Sequence, residues 1–377
     1  MGRAYRVSYI EGDGIGPEIF SAARSVLETI SECCRISFDF VPTPAGDKAL
    51  KQFGLALPKD SLSAIRESDF CLKAPVGETA KDTIVFLRQE LDLYANIRPA
   101  KNYSFIESKF SGVDLVIVRE NTEDLYTGRE FEENDGKKAT ALKVVTEKAS
   151  KRIAKVAFEL AVSREAVRPS QEKITRPASV VCVNKSNVLP VTDGLFFRSC
   201  ASVAKDFPSV KFSPMYVDTA AMNLIRGPEL FDVIVTSNMY GDILSDEASQ
   251  VVGGLGVASS ANLGDDFGLF EPVHGCAPDI AGKGIANPLS MLLTVKMMLD
   301  WVSSKKDDAN CARASQLLEN AVYRVTASNI KTPDIGGKSR TADVASAVSA
   351  EIKRSKDTNE KSRYDDGMLK EDALLRW

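Results

Sequence analysis

Short apolar runs alternate with longer amphipathic stretches along most of this chain, and that alternation restricts its fold more than any other feature. Runs such as YRVSYI, FCLK, LVIVR, SVVCV and VIVTS are short and mostly rich in β-branched residues, so they read as strands. The expected strands are Arg6–Ile10, Phe38–Pro42, Phe70–Lys73, Leu115–Arg119, Ser179–Val183 and Val233–Ser237. The expected helices are Glu18–Ser31, Thr83–Leu91, Glu147–Val162, Asp193–Asp206, Ile243–Val251, Asn287–Val302 and Ala312–Thr326. Strands separated by helices define an α/β protein. There is no internal repeat.

Length and charge narrow the class further. The 377 residues suffice for two domains or one large α/β unit, with a core that needs no disulfide or structural metal. Formal net charge is −4, with 48 basic and 52 acidic residues interspersed. No basic face or polybasic tail points to nucleic acid or a membrane, so neither is an expected partner. Seven cysteines (Cys33, Cys34, Cys71, Cys182, Cys200, Cys276 and Cys311) show no CxxC spacing, which favours reduced thiols and a cytoplasmic location. No apolar run reaches the ~18 residues that span a bilayer. The opening MGRAYRVSYIEGDG enters a strand pattern almost at once, so no cleavable signal is expected. Arg168–Pro177 and the charged tail after Lys353 read as exposed.

Several motifs carry chemistry. GDGIGP at Gly12–Pro17 puts proline where a GxGxxG loop needs its third glycine, so a tight strand-to-helix turn competes with a dinucleotide loop. Arg88, Arg98 and Arg119 fall near expected element ends, Arg98 before a proline where the chain should turn. Their guanidinium forks suit a di- or tricarboxylate, although surface arginines would look the same by spacing. In NMYGDILSDEAS, Asp242 and Asp246 stand i and i+4, on one helical face. Two carboxylates so placed call for a cation between them, a hard ion such as Mg²⁺ or Mn²⁺. The competing reading makes Asp242 a helix-start charge and Asp246 a surface residue. The single histidine, His274, lies in a loop-like stretch, so a lysine, tyrosine or carboxylate is the better candidate base, with Lys185 and Tyr126 in view.

These motifs converge. The chain resembles the isocitrate/isopropylmalate/homoisocitrate dehydrogenases through GDGIGPE, LRQELDLYANIRP, VRENTEDLY, NKSNV, NMYGDILSDEAS and EPVHGCAPDIAGKGIANP, in family order. The resemblance implies a two-domain α/β subunit that is not a Rossmann fold. Residues 1–101 would join 258–350 as a discontinuous cofactor-side domain, 102–257 would form the dimerisation and metal-site domain, and 351–377 a charged C-terminal extension. It implies that Arg88, Arg98 and Arg119 hold malate carboxylates, that Tyr126 protonates the enol after CO₂ leaves, and that Lys185 takes the hydroxyl proton. Asp242 and Asp246 match metal ligands of one subunit; Asp218 and Lys185 match residues contributed from the neighbouring one. A homodimer with shared sites follows, alone or within a higher oligomer.

The resemblance also implies NAD held by Glu271, His274, Gly275, Asp279, Ile280 and Asn287. Asp279 matches the carboxylate that bonds adenosine ribose hydroxyls, where NADP members carry Lys-Tyr. Ahead of Arg88 this chain has Asp82, Ile84 and Val85, not the polar pair with which isocitrate enzymes reach a third carboxylate. Ile84 and Val85 would line a pocket for an isopropyl group, and PVGETAKDTIVFLRQ resembles archaeal isopropylmalate enzymes. The implied reaction is NAD-dependent oxidative decarboxylation of 3-isopropylmalate, in leucine biosynthesis. VRENTEDLY and NVLPVTDGLF are shared with isocitrate and homoisocitrate enzymes, which are the alternatives. A non-catalytic regulatory subunit would have lost residues that are present here. Ser259 departs from the family's usual proline.

Overall fold

A computed structural model of the chain describes residues 3–80, 82–103, 106–168 and 176–362. The first wing of its sheet contains β1 (Arg3–Ile10), β2 (Ile36–Pro42), β3 (Phe70–Lys73) and β4 (Ala95–Lys101). Between them lie α1 (Gly16–Cys34), α2 (Asp47–Phe53), α3 (Lys59–Arg66) and α4 (Asp82–Glu90). The second wing contains β5 (Asp114–Glu120), an exposed hairpin β6 (Glu130–Glu133) and β7 (Lys138–Ala141), α5 (Glu147–Val167), β8 (Ser179–Asn184) and α6 (Thr192–Ala204). It continues through β9 (Lys211–Tyr216), α7 (Val217–Arg226), β10 (Val233–Thr236) and α8 (Asn238–Val251). The chain then returns to the first wing with β11 (Ser259–Leu263), β12 (Gly268–Pro272), α9 (Leu289–Lys306), α10 (Ala309–Ala327) and α11 (Thr341–Ser362).

Ten strands form one sheet in the order β2-β1-β3-β12-β11-β4-β5-β10-β8-β9. Each flank is parallel, whereas β12–β11, β11–β4 and β4–β5 run antiparallel through the middle. Parallel strands need helical crossovers that cover both faces, which is why β3, β5, β8, β10 and β12 are buried on both sides while the edge strands β2 and β9 are not. The α/β class is as expected, and the order is not that of a classical dinucleotide-binding sheet. One apolar cluster joins α1, α5, α6, α9, α10 and α11 on one face; two smaller clusters fill the other, under α3–α4 and under α7–α8.

Six of the described strands were not expected from the sequence: the exposed hairpin β6–β7, and β4, β9, β11 and β12 of the large sheet. β11 and β12 are short, and β11 carries the buried polar residues Ser260 and Asn262, which mask a strand pattern. β9 carries Pro214, tolerated because β9 is the sheet's edge. β4 carries Pro99, and this corrects the expectation that the chain turns after Arg98: the strand runs on to Lys101. Pro99 faces Val116, whose N–H is given to Asp232 O on the β10 side at 2.9 Å, so that pair exchanges no hydrogen bond. On its other side β11 stops pairing at Ile97, and no partner waits for the missing N–H.

α8 begins at Asn238 rather than at Ile243, which places Asp242 in the second turn instead of at the helix start. α11 continues past the point where composition turns polar, to Ser362; Ile352 is buried and Glu351 accepts from Arg324 at 2.7 Å. Most of the two stretches expected to be exposed, Arg168–Pro177 and the tail after Lys353, lies outside the described residues, at 169–175 and 363–377. GDGIGP is the turn into α1. Gly12 and Gly14 have φ of 68° and 58°, and a side chain on either would collide with the carbonyls of Pro75 or Cys276. Ile15 N donates to Cys276 O at 2.8 Å, so the turn is a packing joint between the β1–α1 and 271–287 segments.

Candidate active site

The three antiparallel pairings reverse the strand direction between the flanks, so the cleft is not a shared row of strand ends; it lies over the seam, on the face that α3, α4, α7 and α8 cover. Three buried arginines converge there from different elements. Arg119 ends β5 and is only 1% exposed. Its Nε and Nη2 both donate to Asn238 Oδ1 (2.9 and 2.7 Å), and its Nη1 donates to Asp242. Arg98, inside β4, donates from Nε to Asn96 Oδ1 at 2.6 Å and from Nη1 to Ser245 Oγ at 2.7 Å. The same Nη1 lies 3.3 Å from Asp242 and 3.4 Å from Asp246. Arg88, at the end of α4, donates to Glu271 at 3.2 Å, and its buried Nε has no hydrogen-bond partner among the described residues.

Burial and mutual repulsion make this cluster hungry for anions. Burial, then Arg98 and Arg88, lower the Arg119 guanidinium to about 9. Burial also lowers Arg98 despite Asp242. Glu271 works the other way: burial opposes its charge, but Lys73 at 2.7 Å, Arg88 and Asn262 hold its carboxyl down to about 2. Thus Glu271, implied by resemblance as a cofactor residue, is packed within the arginine cluster and fixes Arg88 from behind.

The carboxylates expected on one helical face do share it. In the structure the cation between Asp242 and Asp246 is Arg98. Tyr126 follows β5 in a short turn and donates to Asp242 Oδ2 at 2.6 Å, with Arg119 stacked 5.0 Å from its ring centroid. Burial alone would raise Asp242, but Arg119, Arg98 and Tyr126 hold it below the usual carboxylate range. Asp246 is pushed up, by burial and by the neighbouring Asp242 charge against the pull of Arg98. The Tyr126 hydroxyl is also pushed up, by burial and by its bond to Asp242. Among the described residues, no three His, Cys, Asp or Glu side chains come together to hold a metal ion within the chain.

Lys185 and Asp218 form a separate ion pair at the edge of the second wing, Asp218 being 63% exposed. Lys185 N donates to Asp193 Oδ2 at 2.6 Å. Around the pair lie exposed apolar side chains from α7, α8 and the turn before α6: Met222, Ile225, Ile243, Val188 and Val191.

His274, Gly275, Asp279 and Ile280 occupy the loop after β12, with Asn287 at its end. Burial keeps His274 below its usual value, so the ring is neutral near pH 7. Asp279 is exposed and Ile280 half-buried. Asn287 donates to Asp334 at 2.8 Å, and Glu18 of α1 accepts from Gly284 N and Ala286 N. On α4, Ile84 packs against the core made by Ile10, Ala45, Ile65 and Leu87. Val85 shares its helical face with Gln89, which donates to Tyr126 O across the cleft at 3.3 Å.

Sequence reasoning missed several residues that build this site. Lys73 and Asn262 hold Glu271; Asn238 and Ser245 hold the arginines; a side chain at Gly241 would press within 2.6 Å of Arg119. Only Lys73, a lysine closing the apolar run FCLK, left a signal like the one that marked Arg119.

An α/β cleft carrying buried arginines, paired carboxylates and a tyrosine is built to take a small polycarboxylate. Comparison with known proteins gives the family. A family model described as isocitrate/isopropylmalate dehydrogenase matches residues 6–349, and the chain belongs to that family. It is similar to the 3-isopropylmalate dehydrogenase of Sulfurisphaera tokodaii, 50% identical over 345 residues, covering 91% of this chain and 98% of that one. It is 42% identical to the homoisocitrate dehydrogenase of Methanocaldococcus jannaschii, over 91% of this chain and 96% of that one. Among solved structures, isocitrate dehydrogenase from Methylococcus capsulatus matches with a TM-score of 0.81 and 38% identity, over 92% of this chain and 99% of that chain. The chain is therefore an enzyme, a dehydrogenase. No described helix is long and apolar enough to cross a membrane.

Proposed function

We propose that the enzyme oxidatively decarboxylates 3-isopropylmalate with NAD and a divalent cation, as a homodimer whose two sites each draw residues from both chains. The observation that carries the malate reading is the convergence of Arg88, Arg98 and Arg119, one of them with a buried donor that lacks a partner among the described residues. The alkyl reading is supported by the apolar run Ile84–Phe86 beside Arg88, which offers no donor to a third carboxylate. Relatives named 3-isopropylmalate dehydrogenase at 45–50% identity support it too.

The arginines hold the two malate carboxylates and orient the carbon that is oxidised. Lys185 of the second chain takes the hydroxyl proton, and Tyr126 returns a proton to the carbon that loses CO₂. Tyr126 suits that delivery because its raised pKa keeps it protonated. Asp242 and Asp246, with Asp218 of the second chain, would hold the cation. Their donors are all oxygen, and Asp246, raised by burial and by Asp242, is short of positive charge. The cation, when bound, polarises the substrate's oxygens, and NAD accepts the hydride. His274, Gly275, Asp279, Ile280 and Asn287 would hold NAD. Asp279 offers an exposed carboxylate to ribose hydroxyls and disfavours a 2′-phosphate. Wing one with β11–α11 would act as the cofactor-side domain and wing two as the dimerising one. The exposed apolar surface around Lys185 and Asp218 favours a second copy there.

NADH and NADPH formation from 3-isopropylmalate, isocitrate and homoisocitrate with Mg²⁺ or Mn²⁺ tests the reaction. The highest kcat/KM is expected for 3-isopropylmalate with NAD; preference for a tricarboxylate overturns the alkyl pocket. Shared sites have their own test. Tyr126→Phe and Lys185→Met homodimers should both be nearly inactive, yet refolding them together should recover up to about a quarter of wild-type activity, because each hybrid keeps one intact site. No recovery in confirmed hybrids sinks the shared-site reading.

A further inference from the structure

Outside the arginine cluster another cation is largely withdrawn from solvent: Lys143, in the segment between β7 and α5. Its side chain is 12% exposed, and Nζ lies 2.8 Å from Asp193 Oδ1, 3.6 Å from Asp124 Oδ1 and 3.4 Å from Ser237 Oγ. The ammonium also sits 4.2 Å from the Tyr240 ring centroid. Both carboxylates are almost wholly buried, and among the described residues the cation facing those two oxygens is Lys143.

What matters is where the two aspartates stand. Asp124 lies two residues before Tyr126, in a backbone conformation (φ 70°) that L side chains rarely adopt. It stays there because its N–H bonds to Val144 O at 2.9 Å, its Oδ2 accepts from Met239 N at 3.0 Å, and its other oxygen faces Lys143. Asp193 grips the other catalytic candidate, accepting from the backbone N–H of Lys185 at 2.6 Å. Ser237 and Tyr240 flank the start of α8, which carries Asp242. One ammonium therefore touches the supports of three segments that bear site residues.

The geometry points to Lys143 as a positioning residue that sets Tyr126 and Lys185 in place through Asp124 and Asp193, without touching the substrate. This inference rests on the roles given above to Tyr126 and Lys185. On the shared-site reading those two side chains serve different sites, so each Lys143 braces one half of each. A buried ion pair kept only for stability could be replaced by apolar side chains at little loss. A positioning ion pair could not, since a displacement of about 1 Å in a reacting group costs on the order of 100-fold in rate.

The test uses the full-length enzyme with its preferred substrate. Lys143→Met is expected to lower kcat by about 100-fold while KM for substrate and for NAD stays within about threefold. Lys143→Arg should restore much of the loss, because a cation again faces both carboxylates. Should Lys143→Met fail to fold, Lys143→Met with Asp193→Asn removes one of the two carboxylate charges, returns the group to its wild-type net charge, and should fold yet stay slow. A folded Lys143→Met enzyme with wild-type kcat, or a double variant that regains full kcat, overturns the proposal. If instead Tyr126→Phe and Lys185→Met retain activity, the underlying assignment of roles has failed, whatever Lys143 does.

Discussion

Replacing Arg119 with leucine is expected to cut kcat/KM by about 10²–10³-fold or more, the scale seen when a preorganised donor aimed at an anion is removed. Ligand-free stability should change little. Arg119 is crowded by Arg98 and Arg88, which together with burial bring its pKa down to about 9, so its removal relieves repulsion while it breaks bonds to Asn238 and Asp242. The diagnostic difference lies in ligand response. A malate-type dianion should raise the melting temperature of the wild type, and Arg119→Leu should lose most of that increment. Arg119→Lys should rescue little, since an ammonium cannot span Asn238 and Asp242 as the fork does. Calorimetry with and without ligand reads this directly. An undiminished increment in Arg119→Leu would show that the cleft holds its anion elsewhere.

Asp232→Asn should do the reverse, costing stability and sparing chemistry. Asp232 precedes β10, at the opposite end of that strand from the residue that pairs with Arg119. It accepts from Arg164 Nε at 2.9 Å, from Ser179 N at 3.2 Å and from Arg168. Arg164 also reaches Asp114 at 3.0 Å, and Arg176 donates to Phe231 O at 2.8 Å. Removing this fully buried carboxylate leaves the arginines with only the partly exposed Asp114 as counter-charge, a loss of about 3–5 kcal/mol. Denaturant titration should find it, with kcat at 25 °C near the wild-type value. A loss below about 1 kcal/mol would mean that the cluster is solvated and weak.

The sequence disclosed the parts whose physics is local. Expected strands such as Phe70–Lys73 and Ser179–Val183 lie within a residue of those observed, because β-branched runs buried on both faces leave a plain record. β11 and β12 left no such record: they sit in the middle of the sheet, and the signal there is buried asparagine and serine hydrogen-bonded across strands. In the site, Arg119 and the Asp242–Asp246 pair were legible because a cation ending an apolar strand, or two carboxylates on one face, is costly enough to demand a reason. Asn238, Gly241 and Lys143 were not. Their importance comes from what the fold brings beside them, over separations of 50 to 122 residues for the contacts to Asp193 and Arg119. The cation placed by Arg98 between the two aspartates was equally invisible, being supplied by a strand read as a turn.

The antiparallel seam has a consequence for how the molecule deforms. β4 pairs with β5 along seven residues, from Ala95–Glu120 to Lys101–Asp114, so the two wings share one ladder of backbone hydrogen bonds where a flexible tether might have been. The cleft above the seam cannot gape by swinging on a loop; it opens only as far as the sheet twists. Work done in twisting is stored elastically and returned, which gives the cleft a built-in spring. Heat would likewise find no weak joint at which one wing could melt alone, and the amide protons of β4 and β5 would be among the last to exchange with solvent.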